Sequence, residues 1–226
     1  MTELQNRLDK LALRLDHMGM RAEQAVLDAL AAVEDGAVEA GRAVDRRDAV
    51  IDREEVEIEQ ECIRLLALYQ PAAIDLRMIC TIIKVNNDLE RIADLAAGIG
   101  RRVKHVVADQ LDLGEDPEFL QLKQSALEIL GKTTRILSVA DAETARKIID
   151  YDDRVDLDYK NFVQSVLASE SRHVGGAEHA MTMIHLAKAL ERIGDLCTNI
   201  AEDIIFLRTG DIVRHADAFE KNKPTA

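Results

Sequence analysis

Leu89-Glu90-Arg91-Ile92-Ala93-Asp94 and Leu190-Glu191-Arg192-Ile193-Gly194-Asp195 agree at five of six positions and lie 101 residues apart. Each copy falls late in a long, apolar-rich stretch without strand-like alternation, so each sits on a helix. A match at that separation in a 226-residue chain points to two similar halves. It also sets a Glu and an Asp four residues apart, on one helical face, in both halves.

Working outward, the punctuation is sparse and the helices are therefore long. Leu4, Leu8, Leu11, Leu15 and Met18 step by three or four, the spacing of an apolar helical stripe. That helix is predicted to run to about Val33, where Glu34-Asp35-Gly36 breaks it. A second is predicted from about Val38 to Leu68, stopping before Pro71, and a third from about Ala72 to Val107. Gly114-Glu115-Asp116-Pro117 reads as the linker, and three more helices follow over about 119–138, 141–169 and 176–207. The fold class is all-α: two tandem antiparallel three-helix bundles, over 1–112 and 117–215, with 216–226 expected to be a disordered tail. Aligning the halves pairs Asp48 with Asp152 and Asp52 with Asp156, so the repeat spans whole bundles.

Composition supports helices: 47% of residues are hydrophobic, only 3% aromatic, Trp is absent and Pro occurs three times. A formal charge of −13 speaks against nucleic-acid or anionic-lipid binding, and suits cations or a basic partner. Cys62, Cys80 and Cys197 have neither disulfide nor zinc spacing, which fits a reducing cytosol. Met1-Thr2-Glu3-Leu4-Gln5-Asn6 lacks the form of a signal peptide, and no stretch approaches the roughly 20 apolar residues of a membrane span. The expectation is a cytoplasmic protein with no direct membrane insertion.

The second helix carries Asp45, Asp48, Asp52, Glu55 and Glu59 within an arc of about 80°. Ordinary solvent faces mix charge signs, as Arg53, Glu57, Glu61 and Arg64 do on its opposite side. The acid stripe has no base, and apolar residues flank it: Ile51, Ile58 and Cys62 on one side, Val56 and Ile63 on the other. Crowded carboxylates repel unless a cation neutralises them. Glu90 and Asp94 offer the complement in the first half. In the second, Glu191, Asp195, Asn199 and Glu202 share a face beside Asp152 and Asp156. Carboxylate and amide oxygens suit hard divalent or trivalent ions such as Mg, Mn, Ca or Fe(III), with Zn a poorer fit. The plainer reading is a solvated or salt-bridged face. His17, His105, His173, His179, His185 and His215 are scattered, and no nucleophile–base pair, P-loop or dinucleotide fingerprint is present. An enzyme is not expected.

The residues so far resemble the PhoU family. Leu65-Leu66-Ala67-Leu68-Tyr69-Gln70-Pro71-Ala72-Ala73-Ile74-Asp75-Leu76-Arg77 is similar to that family's joint between helices two and three. Both Leu-Glu-Arg-Ile-x-Asp copies resemble its metal motif, and Asn199-Ile200-Ala201-Glu202, Thr209-Gly210 and Arg214-His215 resemble its ending. The resemblance implies a homodimeric regulator that keeps the phosphate-starvation response off. Its implied partners are the ATPase subunit of the phosphate ABC importer and a sensor histidine kinase. It also implies multinuclear metal binding. By position, Glu90 and Asp94 serve the first site, with Asp48, Asp52 and Glu55. Glu191, Asp195, Asn199 and Glu202 serve the second, with Asp152 and Asp156. Gly98 and Arg101 stand where the second half has Asn199 and Glu202, so two unequal sites are expected, the first leaning on Asp45 and Glu55. A metal store and a purely structural scaffold are the alternative readings.

Overall fold

The structure is a computed structural model that describes residues 2–169 and 176–213. Among them run six helices: α1 (Glu3–Glu34), α2 (Val38–Tyr69), α3 (Ala73–Ala108), α4 (Pro117–Val139), α5 (Ala142–Ser169) and α6 (Gly176–Thr209). The expected tail at 216–226, with His173, Arg214 and His215, lies outside the described residues.

Local chemistry explains the ends. Thr2 caps α1 by accepting the Gln5 N–H at 3.2 Å, and Asp116 caps α4 by accepting the Phe119 N–H at 2.8 Å. Pro117 therefore opens α4 as its first residue, two earlier than expected, because a missing N–H costs nothing there. Gln70 ends α2 in a left-handed conformation, φ 44°, and Pro71 follows it. The α6 helix runs two residues past Leu207, to Thr209.

In the first half α1, α2 and α3 pack against one another, and in the second α4, α5 and α6 do the same. The bundles are then joined, α3 against α6 and α1 against α4. Buried Leu8, Ile58, Leu89, Ile92, Phe119, Phe162, Leu190 and Ile193 belong to one continuous apolar core that ignores the boundary between repeats. Thr134 donates to Glu23 at 2.6 Å across the α1–α4 seam, and Lys84 pairs with nearly buried Asp203 at 3.0 Å across the α3–α6 seam. None of the helices is long and apolar enough to cross a membrane.

The α2–α3 crossing is exceptionally close at Gly41 and Gly100. A Cβ on Gly41 would stand 2.4 Å from the Gly100 carbonyl oxygen, so only glycine lets the backbones meet there. The second half carries Ala145 and Ala201 at these repeat positions.

One sequence expectation needs refinement. Ile51, Ile58 and Cys62 are buried beside the acid stripe, but Val56 and Ile63 on its other side are 46% and 55% exposed. The stripe thus has one packed border, facing α3, and one open border. Arg77, early in α3 after the joint at Pro71, lies against the end of α6. Its Nη1 would be 3.1 Å from a Cβ at Gly210, where helix carbonyls and the dipole favour a cation.

Candidate metal centres and the cleft between them

The first cluster forms where α2 meets α3 along the acid stripe. Asp48 is its most perturbed member: burial pushes its carboxyl up to about 7, reinforced by Asp52, Asp94 and Glu90. Asp48 Oδ1 is buried without a hydrogen-bond partner. Glu90 is raised by burial, then by Asp94, Asp52 and Glu55, with Arg91 opposing. Glu55 is raised by burial, then by Glu59 and Asp52. The structure thus brings Asp48, Asp52, Glu55, Glu90 and Asp94 into one field, as expected from the sequence.

Asp45 is different. It is ion-paired with Arg101, which crosses from α3. That pair turns the Arg101 guanidinium toward its own counterion and makes Asp45 a partner of Arg101 rather than an open ligand. At the Glu55 end of the stripe stands a residue that sequence reading missed: fully buried Asn86, one turn before Glu90. Its amide donates to the Glu55 carbonyl at 2.9 Å and to Glu55 Oε1 at 3.3 Å. Its own Oδ1 is buried and unpaired. The signal was available, since 86, 90 and 94 continue one helical stripe.

The second cluster forms where α5 meets α6. Burial pushes Asp152 up to about 6, reinforced by Asp195, Asp156 and Glu191 and partly offset by Thr198. Thr198 is a second missed neighbour; its repeat position in the first half is Ala97. Gly194 is the third. A Cβ there would come within 2.8 Å of Asp152 Oδ1 and 3.2 Å of Val155 Cγ1, so this glycine lets Asp152 lie close against α6. The first half has Ala93 at that position. Lys188 Nζ binds Glu191 Oε1 at 2.5 Å, leaving Glu191 Oε2 buried and unpaired. Lys160 pairs with Asp156 at 3.2 Å. Asn199 lies one turn beyond Asp195, and Glu202 nearly a turn further on.

Among the described residues no three acidic, His or Cys side chains stand ready-closed around an ion. The donor set nevertheless fits a hard cation. Each cluster has a buried carboxylate oxygen with no partner, Asp48 Oδ1 in one and Glu191 Oε2 in the other, and oxygen donors dominate both. Cys62 and Cys197 are buried and their thiols are pushed up to about 12 by burial.

Both clusters open onto one cleft of about 550 Å³ between α3 and α6, through Asp94 on one wall and Asp195 on the other. Arg91, Arg102, Lys188 and Arg192 line the same cleft.

Six helices in two equivalent bundles, each carrying a carboxylate cluster at the same register, define a duplicated all-helical protein with paired acidic sites. The PhoU domain matches residues 15–103 and 119–204, one copy in each bundle. The chain belongs to the PhoU family. It is 34% identical over 161 residues to the phosphate-specific transport system accessory protein PhoU homolog of Pseudomonas aeruginosa, covering 70% of this chain and 65% of that protein. To the phosphate-specific transport system accessory protein PhoU of Escherichia coli it is 29% identical over 168 residues, covering 73% of this chain and 68% of the other. The matched segment is 65% of the Pseudomonas aeruginosa relative's length and 61% of that from Pseudomonas putida, just under two thirds of each. The crystal structure of PhoU from Pseudomonas aeruginosa superposes with a TM-score of 0.85 at 31% identity, covering 92% of this chain and all of that one. The phosphate transport system regulatory protein PhoU from Streptococcus pneumoniae gives 0.86 at 25% identity, with 93% and 99% covered.

Proposed function

We propose that this protein is a non-catalytic, cytoplasmic regulator of phosphate uptake that holds metal ions in its two carboxylate clusters. Family membership supports the regulatory half, because the relatives are named as accessory proteins of the phosphate-specific transport system. On this reading the chain acts as a homodimer. It couples the ATPase subunit of a phosphate ABC importer to a sensor histidine kinase and silences the starvation response when phosphate is ample. The observation that carries the metal half is the orphaned oxygen in each cluster, Asp48 Oδ1 and Glu191 Oε2. A buried carboxylate without a partner is costly, and a divalent cation bound by Mg-type or Mn-type oxygen ligation removes that cost.

Asp48, Asp52, Glu55, Glu90 and Asp94 would hold the first ion or ions, with the Asn86 amide oxygen within the same stripe. Asp152, Asp156, Glu191 and Asp195 would hold the second, with Asn199 and Glu202 as outer donors. The ions would supply charge neutralisation and fix α2 to α3 and α5 to α6.

The regulatory role is tested in cells lacking the gene and grown with ample phosphate. Alkaline phosphatase output should be high and should fall silent when the wild-type chain is restored. Unchanged output in the deletion strain refutes the role. The metal is tested by plasma mass spectrometry of the purified chain: Glu191→Ala with Asp195→Ala should lower metal content and remove the thermal stabilisation given by added Mn²⁺. Equal metal content in both proteins would defeat the metal reading and favour a structural scaffold.

A further inference from the structure

The walls of the α3–α6 cleft are the same positions of the repeat. Arg91 and Arg192, Asp94 and Asp195, and Leu95 and Leu196 all line it, each pair 101 residues apart. The two halves therefore meet as an isologous pair does, with like residues brought to a common seam. In a chain of net charge −13 this seam is unusual, because it collects Arg91, Arg101, Arg102, Lys188 and Arg192 together with His185.

As the side chains stand, most of that charge is spoken for. Arg101 is paired with Asp45, Arg91 with Asp88 at 3.4 Å, and Lys188 with Glu191 at 2.5 Å. Arg102 is steadied by donating to the Gly98 carbonyl at 2.9 Å, and neither it nor Arg192 has an ion pair among the described residues. Against these two free guanidiniums stand the carboxylates of Asp94 and Asp195, so the cleft is close to neutral.

Cation loading of the clusters changes this balance twice over. It cancels Asp94 and Asp195. It also claims Glu191, whose Oε1 now holds Lys188, and an ammonium a few ångströms from a divalent cation is repelled. Lys188 is already a wall residue, so its release adds a third free cation to the cleft.

We propose that the α3–α6 cleft is an oxyanion site gated by the acidic clusters, which takes a phosphate-class ligand on Arg102, Lys188 and Arg192 once the clusters are filled. The inference rests on the metal reading above. Donors come from both walls, which suits a tetrahedral, multiply charged anion better than a planar monocarboxylate satisfied by one guanidinium fork. The volume, about 550 Å³, admits either free phosphate or a phosphate group carried on a larger molecule.

The test is equilibrium dialysis of radiolabelled inorganic phosphate against the full chain, loaded with Mn²⁺ or stripped with EDTA. Metal content is measured on the same samples. Loaded protein should bind phosphate at least about tenfold more tightly than stripped protein, the range of ordinary site–site coupling. Arg192→Gln and Lys188→Gln should each weaken that binding about tenfold without lowering metal content. Lys188→Gln should if anything raise metal affinity, since it removes the competitor for Glu191. Fully loaded protein that takes up no phosphate overturns the site and leaves the metal reading intact. Equal uptake by stripped protein overturns the gate, and uptake indifferent to both substitutions marks phosphate held by the metal alone. A chain that retains no Mn²⁺ fails at the earlier step, in the metal reading itself. Competition by AMP as strong as by phosphate assigns the cleft to a phosphate group on a larger ligand; no competition assigns it to the free ion.

Discussion

Replacing Asp48 with Asn should stabilise the metal-free protein and destabilise the metal-loaded one. The carboxyl of Asp48 is pushed from 3.8 up to about 7, chiefly by burial and then by Asp52, Asp94 and Glu90. One pKa unit corresponds to about 1.4 kcal/mol, so a sealed site would penalise the ionised form by about 4 kcal/mol. Asp48 is only partly buried and water screens its neighbours, which brings the expected penalty to about 1–2 kcal/mol. In a chain of this size that is about 2–8 °C in Tm. The direction with pH follows from the proton: the folded state binds it more tightly than the unfolded chain does. Stability is therefore lost as pH rises from about 3.8 towards about 7, and it stays lost above that. Thermal unfolding followed by circular dichroism in EDTA should show Asp48→Asn melting higher than wild type at pH 8. The gap should narrow steadily as pH falls to 4. Added Mn²⁺ at pH 8 should reverse the order, because wild type gains a ligand-bound state that the variant binds poorly. A variant that is less stable than wild type in EDTA at pH 8, or a gap that ignores pH, would refute the reasoning.

Other predictions concern the frame around the site. Gly41→Ala places a Cβ 2.4 Å from the Gly100 carbonyl oxygen. The forced separation of α2 and α3 should cost about 1–3 kcal/mol, outweighing the better helix propensity of Ala, and urea unfolding measures it. The three free thiols should divide by accessibility. In native protein a disulfide-exchange reagent should label Cys80 slowly and leave buried Cys62 and Cys197 untouched until urea is added, since burial holds both thiols protonated.

The helices were legible because their ends are written in strong local signals. Gly36, Pro71 and Asp116-Pro117 each sit at an observed break, and the structure departs from the sequence reading only by a residue or two. The acid clusters were legible for a similar reason: spacing of four on a helix fixes a shared face before any tertiary contact exists. What failed to show was everything that depends on which helix lies opposite. Val56 flanks the acid stripe as Ile58 does, yet Ile58 is buried against the bundle and Val56 is half exposed. Asp45 looked equivalent to Asp48 until Arg101 reached it from α3. Arg91 and Arg192 lie inside the very hexapeptide that revealed the repeat, and were read only as the residues between acids. Their convergence depends on the α3–α6 seam, which neither half encodes by itself.

That seam also bears on how the molecule comes apart. Because buried residues of both bundles join one unbroken core, neither half can open without exposing apolar surface of the other. A duplicated chain of this kind should melt in a single cooperative step rather than as two modules. Damage confined to one repeat then lowers the melting point of both. A single shared core also ties the positions of the two acidic patches to each other.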